Sequence, residues 1–247
     1  MTGRIRIGIG GWTYEPWRGT FFPEGLPHAK EIAFATRAMT AIEVNGTYYS
    51  SQKPATFAKW AKAAPDGFVY ALKASRFCTN RKVLADAGDS VMKFLDQGIV
   101  ELGDKLGPIL WQFMPTKKFD SEDFNAFLAL LPKTHGGLPL SHAIEVRNES
   151  FDDPEFGSLA KRYGVAVVHS DSDTYVRVSV DSSPFTYSRF LAAREDIPTG
   201  YDAPALDSIA ASARTWSQRG DVFIFMINGA KVRAPAAAQA LIERVGR

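Results

Sequence analysis

The chain has 247 residues, of which 45% are hydrophobic and 23% charged, with a net charge of +2. That length and apolar content allow a core needing no disulfide or structural metal, and the single Cys78 has no partner for an internal disulfide. The mild charge gives no ground for a specific nucleic-acid partner or an anionic membrane surface, no apolar run reaches the roughly 18 residues of a membrane span, and residues 1–6 lack an apolar signal segment, so a cytoplasmic location is expected.

Ile5 to Ile9 alternates and reads as a first strand, ending in Gly10-Gly11-Trp12-Thr13-Tyr14. A helix is expected over Lys30 to Met39, then a second strand over Ala41 to Asn45, with Thr47-Tyr48-Tyr49 as a loop. Lys53-Pro54 opens a helix to Ala64, with Phe57, Trp60 and Ala61 at helical spacing. Phe68 to Lys73 is the third strand, and Ser75 to Leu106 holds a helix expected to end near Leu102-Gly103. Pro108 to Phe113 is the fourth strand, and Ser121 opens a helix to Leu131 with acidic residues in its first turn. The fifth strand, Ala143 to Arg147, precedes a helix over Pro154 to Tyr163 that Gly164 should cap. Val165 to His169 is the sixth strand, but Asp171 to Pro184 shows no helical period. Phe185 to Phe190, a helix over Asp202 to Arg219, Val222 to Ile227 and a final helix over Pro235 to Val245 complete the chain.

Eight strands alternating with helices over about 250 residues predict an α/β fold, a single (β/α)8 TIM-type barrel over 1–247 with an irregular segment after strand 6. A doubly wound open sheet is the alternative. In a parallel barrel the strand C-termini share one end, where active sites form. Several strands here end in polar residues two apart, and residues two apart share a face. The pairs are Glu43 with Asn45, Glu145 with Arg147, His169 with Asp171, and Tyr187 with Arg189. Lys73, Gln112 and Asn228 end the third, fourth and eighth strands, and Trp12 and Tyr14 follow the first.

Glu43 and Glu145 are candidate acid and base, because environment can separate two carboxylate pKa values. Each is equally readable as a counter-ion to Lys73, Arg147 or Arg189. Lys73 has two readings, anion binding or Schiff-base chemistry. Neighbouring carboxylates should raise its pKa, which favours anion binding or ion pairing. Arg147 and Arg189 suit a carboxylate or phosphate. Trp12, Tyr14, Asn45, Tyr48, Gln112, Asp171, Tyr187 and Asn228 complete the expected binding set. No histidine spacing marks a metal site, so no metal or cofactor is expected, although Glu43, Glu145, His169 and Asp171 together suit Mg²⁺ or Mn²⁺. The loop from Asn228 to Pro235, entering the last helix, is an expected anion site through its backbone N–H groups.

Four motifs resemble one family. Gly11-Trp12-Thr13-Tyr14 with Trp17 is similar to its Gly-Trp-x-Tyr-x-x-Trp opening, and Ile42-Glu43-Val44-Asn45-Gly46-Thr47-Tyr48-Tyr49 to its Val-Glu-x-Asn-x-Thr-Phe-Tyr motif. Leu110-Trp111-Gln112-Phe113 and Glu145-Val146-Arg147 resemble its Leu-x-Gln-Phe-Pro and Glu-x-Arg strands. This is the DUF72, or YecE-like, family, and the resemblance implies a TIM-type barrel without supplying a reaction. Many members carry His-Gly soon after the arginine of the seventh strand, whereas Arg189 is followed by Phe190-Leu191-Ala192.

The residues together predict a cofactor-independent enzyme acting by carboxylate acid/base chemistry on a small anionic or polyhydroxylated substrate, of hydrolase, lyase or isomerase type. The alternatives are a metal-dependent phosphodiesterase or sugar-isomerase-like barrel, and a non-catalytic metabolite-binding protein. The expected partner is a small molecule.

Overall fold

A computed structural model describes residues 2–246. Among the described residues, eight parallel strands run in chain order: β1 (Ile5–Gly10), β2 (Ala41–Val44), β3 (Val69–Lys73), β4 (Leu106–Gln112), β5 (His142–Glu145), β6 (Ala166–Val167 and His169–Ser170), β7 (Thr186–Phe190) and β8 (Val222–Met226). Each pairs with its chain neighbours, and β8 pairs with β1 through Ile7↔Ile224. The two pieces of β6 divide the last joins between them. Ala166–Val167 pairs with β5, and His169–Ser170 pairs with β7. The sheet therefore closes into a barrel, not the open doubly wound alternative.

Helices α1 (His28–Ala38), α2 (Pro54–Ala63), α3 (Gly88–Leu95), α4 (Ser121–Ala129), α5 (Pro154–Tyr163), α6 (Ala203–Ser217) and α7 (Ala234–Val245) cover the outside. Asp120, Asp153 and Asp202 accept hydrogen bonds from first-turn N–H groups of α4, α5 and α6. Gly164, at φ 66°, ends α5 in the left-handed region that glycine enters without steric cost.

Local expectations differ from the structure in two places. The helix expected to reach Leu102-Gly103 ends at Leu95, and 3₁₀ turns follow over Ile99–Lys105, broken where Gly103 takes φ 55°. Thr47-Tyr48-Tyr49 is not a loop but part of one helical turn, Gly46–Tyr49.

The connection after β6 carries no α-helix. Its Val176, Val178 and Val180 pack as partly buried residues on the outer core. Their spacing of two is that of an extended chain, so this segment is a strap laid where a helix would otherwise sit.

The barrel interior is lopsided. Tyr187, Phe223 and Phe225 enter from β7 and β8, against four alanines (Ala41, Ala71, Ala143 and Ala166) and the smaller Val69, Leu110 and Val168 from the other strands. Large side chains on one wall fill the volume that small ones leave on the other. β1 contributes Arg6, whose guanidinium lies 5.3 Å from the centre of the Phe223 ring, and otherwise glycine. A Cβ on Gly8 would lie 1.7 Å from the Ala41 carbonyl oxygen, so only glycine lets β1 and β2 meet.

A candidate active site at the barrel mouth

Strand parity carries the polar residues inward. Val69 and Ala71 line the interior, so Lys73 follows them. Ala143 and Tyr187 do the same for Glu145 and Arg189. At the C-terminal ends these side chains form one layer organised by Arg189, which is 2% exposed.

Arg189 Nε and Nη2 donate to Glu43 Oε2 and Oε1 at 2.9 and 3.0 Å. Its Nη1 donates to Glu145 Oε2. The Tyr187 hydroxyl donates to Glu43 Oε2 at 2.8 Å. Arg147 Nε and Nη2 donate to Glu145 Oε1 at 3.0 and 2.9 Å, and Gln112 Nε2 donates to Glu145 Oε2 at 2.6 Å. Both carboxylates, buried at 0% and 3% exposure, thus have every oxygen engaged by a donor.

Burial alone would raise the Glu145 pKa, but Arg189 and Arg147 outweigh it and hold it at about 2. For Arg189, burial works against the charge, but Glu145 and Glu43 prevail and raise its pKa. Burial, then the neighbouring Glu43, drives Tyr187 well above the ordinary tyrosine range.

Lys73 stands apart. It is 7% exposed, and its ammonium lies 4.2 Å from the centre of the Tyr48 ring. Among the described residues no carboxylate or other acceptor reaches its Nζ, because Glu43 and Glu145 turn to the arginines. Burial and then Arg189 bring its pKa down to about 8, against the opposite pull of Glu43 and Glu145. The expected upward shift by the carboxylates is therefore outweighed, first by burial and then by Arg189.

Above the ends of β1 and β2 is a cavity of about 270 Å³ lined in part by Trp12, Tyr14, Asn45, Gln52 and Lys231 and by none of the charged residues of this layer. Trp12 packs edge-on against Trp60, and Tyr14 against Trp17. Tyr48 accepts a hydrogen bond from Asn80 Nδ2 at 3.2 Å. Asn228 is exposed in the loop after β8.

The sixth strand departs from expectation. His169 and Asp171 do share a face, but it is the outer one, because Ala166 and Val168 fill the interior. The His169 ring stacks on Trp216 of α6 at 5.0 Å. Asp171 accepts from the Leu191 N–H at 2.5 Å and the Tyr201 hydroxyl at 2.7 Å, pinning the loop after β7. The grouping of Glu43, Glu145, His169 and Asp171 as cation ligands is thus not assembled, and among the described residues no cluster of three or more His, Cys, Asp or Glu has metal-binding geometry.

The loop after β8 also differs. The N–H groups of Ala230, Lys231 and Arg233 donate to the carbonyls of Ala193, Gly229 and Ala230. Lys231 turns over the Tyr14 ring at 4.7 Å. Of the backbone donors expected for an anion, that of Ala230 is thus engaged internally. Cys78 is fully buried, and burial pushes its thiol up to about 12, as suits an inert cysteine.

Two contributors escape a strand-end search. Tyr175, on the strap after β6, lies under Arg147 with its ring centre 4.4 Å from the guanidinium carbon. Thr47 Oγ1 lies 2.7 Å from the Lys73 carbonyl oxygen and fixes the end of β3. The available signal for Tyr175 was an aromatic residue in the one connection lacking a helix.

The family model described as "Protein of unknown function DUF72" matches residues 6–247. The UPF0759 protein YunF of Bacillus subtilis is 27% identical over 158 residues, 62% of this chain and 54% of that protein, so the match spans about half of the relative's length. The crystal structure of a DUF72 family protein from Thermotoga maritima superposes with a TM-score of 0.76 at 20% identity, covering 96% of both chains. D-psicose 3-epimerase, solved in the presence of D-fructose, superposes with a TM-score of 0.53 at 15% identity over 99% of this chain and 96% of that one, a likeness of fold. With the barrel, its inward polar layer and a family match over nearly its whole length, this chain belongs to the DUF72 family.

Proposed function

We propose that the barrel mouth receives a small anionic substrate, with or without hydroxyl groups, and that the protein acts on it as a cofactor-independent enzyme. One observation carries this reading: the polar layer holds two carboxylates and three cations, and both carboxylates are taken by arginine, leaving the Lys73 ammonium uncompensated. An unpaired buried charge is costly, and an incoming anion is its natural complement. A site for a divalent cation has the opposite balance, so the metal-dependent alternative draws less support from this layer.

Within this reading the carboxylates hold the cations in place. Glu145, with its pKa near 2, stays ionised at neutral pH and is a poor proton donor. The working groups are Lys73 and the free edge of Arg147, whose Nη1 has no protein acceptor among the described residues. Hydroxyl-bearing substrates remain compatible, because Trp12, Tyr14, Asn45 and Gln52 offer stacking and hydrogen bonds above the ends of β1 and β2.

The test is thermal unfolding at pH 7 with inorganic phosphate, small carboxylates and neutral polyols. A ligand at 100 times its Kd adds about 2.7 kcal/mol of stability. Anions should raise the melting temperature of the wild type, and Lys73→Met should lose most of that rise. Equal response of the variant, or stabilisation by polyols alone, would sink the proposal.

A further inference from the structure

Resting on that anion-binding reading, we infer that Lys73 is an amine nucleophile that forms an imine with a small carbonyl compound carrying a carboxylate or phosphate. A lysine ending a strand beside two glutamates would ordinarily be an ion-pair partner. Here the planar fork of Arg189 occupies both oxygens of Glu43 and one of Glu145. The guanidinium thereby removes the acceptors and adds a positive charge near the amine. Both effects favour neutral nitrogen.

The root of the side chain is rigid. β3 is paired with β2 at Leu72 and with β4 at Lys73 itself. Thr47 lies against the Lys73 carbonyl, and the Tyr48 ring flanks the ammonium. Burial, then Arg189, brings the pKa from 10.5 to about 8, which raises the neutral fraction near pH 7 about 300-fold over an ordinary lysine.

The chemistry balances without a redox partner. Neutral Nζ attacks the carbonyl carbon, and the C–N bond forms as the carbonyl electron pair moves to oxygen, which takes a proton. The carbinolamine loses water to give the C=N bond. Protonated, the imine restores the positive charge the ammonium had carried, so the arginine–glutamate layer keeps its balance. The substrate anion faces that charge and the free Nη1 edge of Arg147, whose guanidinium is held by Glu145 and Tyr175.

The experiment is reductive trapping on the full chain. Wild type is incubated with pyruvate or dihydroxyacetone phosphate and cyanoborohydride at pH 7, and adducts are mapped by peptide mass spectrometry. Hydride addition to the imine carbon leaves a stable secondary amine. One adduct is expected, on Lys73, forming well before any on exposed Lys59. Its rate in the wild type should reach half-maximum near pH 8, a readout needing no variant. Lys73→Arg should lose the adduct. Labelling of Lys73 at the Lys59 rate, or preferential labelling of half-buried Lys231, overturns the inference. If phosphate still stabilises the wild type in that case, anion binding stands and imine formation fails. If phosphate has no effect either, both fail.

Discussion

Replacing Arg189 by Met tests the organisation of the mouth most directly. The side chain is of similar length and apolar, so the layer loses charge more than volume. Glu43, at 0% exposure, keeps only the Tyr187 hydroxyl, whereas Glu145 keeps Arg147 and Gln112. Removing one partner of a buried pair costs roughly 3–5 kcal/mol, and the Glu145 side gives a similar scale. Its pKa, depressed to about 2 from 4.5, corresponds to a net of about 3 kcal/mol, the pull of Arg189, Arg147 and Gln112 less the opposing cost of burial. For a chain of this length each kcal/mol shifts the melting temperature by about 2–4 °C, so a loss of about 10 °C is expected at pH 7. The pH dependence distinguishes a charge effect from packing. In the wild type, a depressed carboxylate pKa contributes stability that is present above pH 4.5 and lost as pH falls toward 2. In the variant, a stranded carboxylate can be neutralised by a proton, so its deficit should shrink between pH 7 and pH 4.5. Thermal and urea unfolding at both pH values measure this. A deficit below about 1 kcal/mol, or one unchanged with pH, would show that Arg189 does not hold the layer together.

Lys73→Met should be more stable than the wild type at pH 7, because it removes an unpaired buried cation. A lysine whose folded pKa lies below its unfolded one gains stability as pH rises through the window from about 8 to 10.5. The variant's advantage, up to about 3 kcal/mol, should therefore fall to about 1 kcal/mol by pH 10, and a variant less stable than wild type at pH 7 contradicts the account. Gly8→Ala places a Cβ 1.7 Å from the Ala41 carbonyl oxygen, a backbone atom that cannot step aside. It should prevent β1 from pairing with β2, read as loss of a cooperative melt. A soluble variant with wild-type melting temperature would refute it.

Local order was legible in the chain because it rests on local rules. Alternating strands, acidic residues in the first turn of α4, and Gly164 after α5 are signals spanning a few residues. Parity within each strand also put Glu43 with Asn45, Glu145 with Arg147 and Tyr187 with Arg189 on shared faces at strand ends, and family motifs lie on the strands of Glu43, Gln112 and Glu145. Parity fixes that two residues share a face, but not which face. For His169 and Asp171 the interior bulk of Ala166 and Val168 decided it, and bulk depends on the opposite wall. The strap after β6 shows the same limit, since its alternating valines gain meaning only when α5 and the outer core lie beneath them. Above all, tertiary structure decided who pairs with whom. Glu43 had Lys73, Arg147 and Arg189 as possible partners, and the bond went to an arginine 146 residues away. Such competition is settled by distances of a few tenths of an ångström and by the planar fork of a guanidinium, neither of which is written in a one-dimensional pattern. Lys73 is left unpaired as the remainder of that competition.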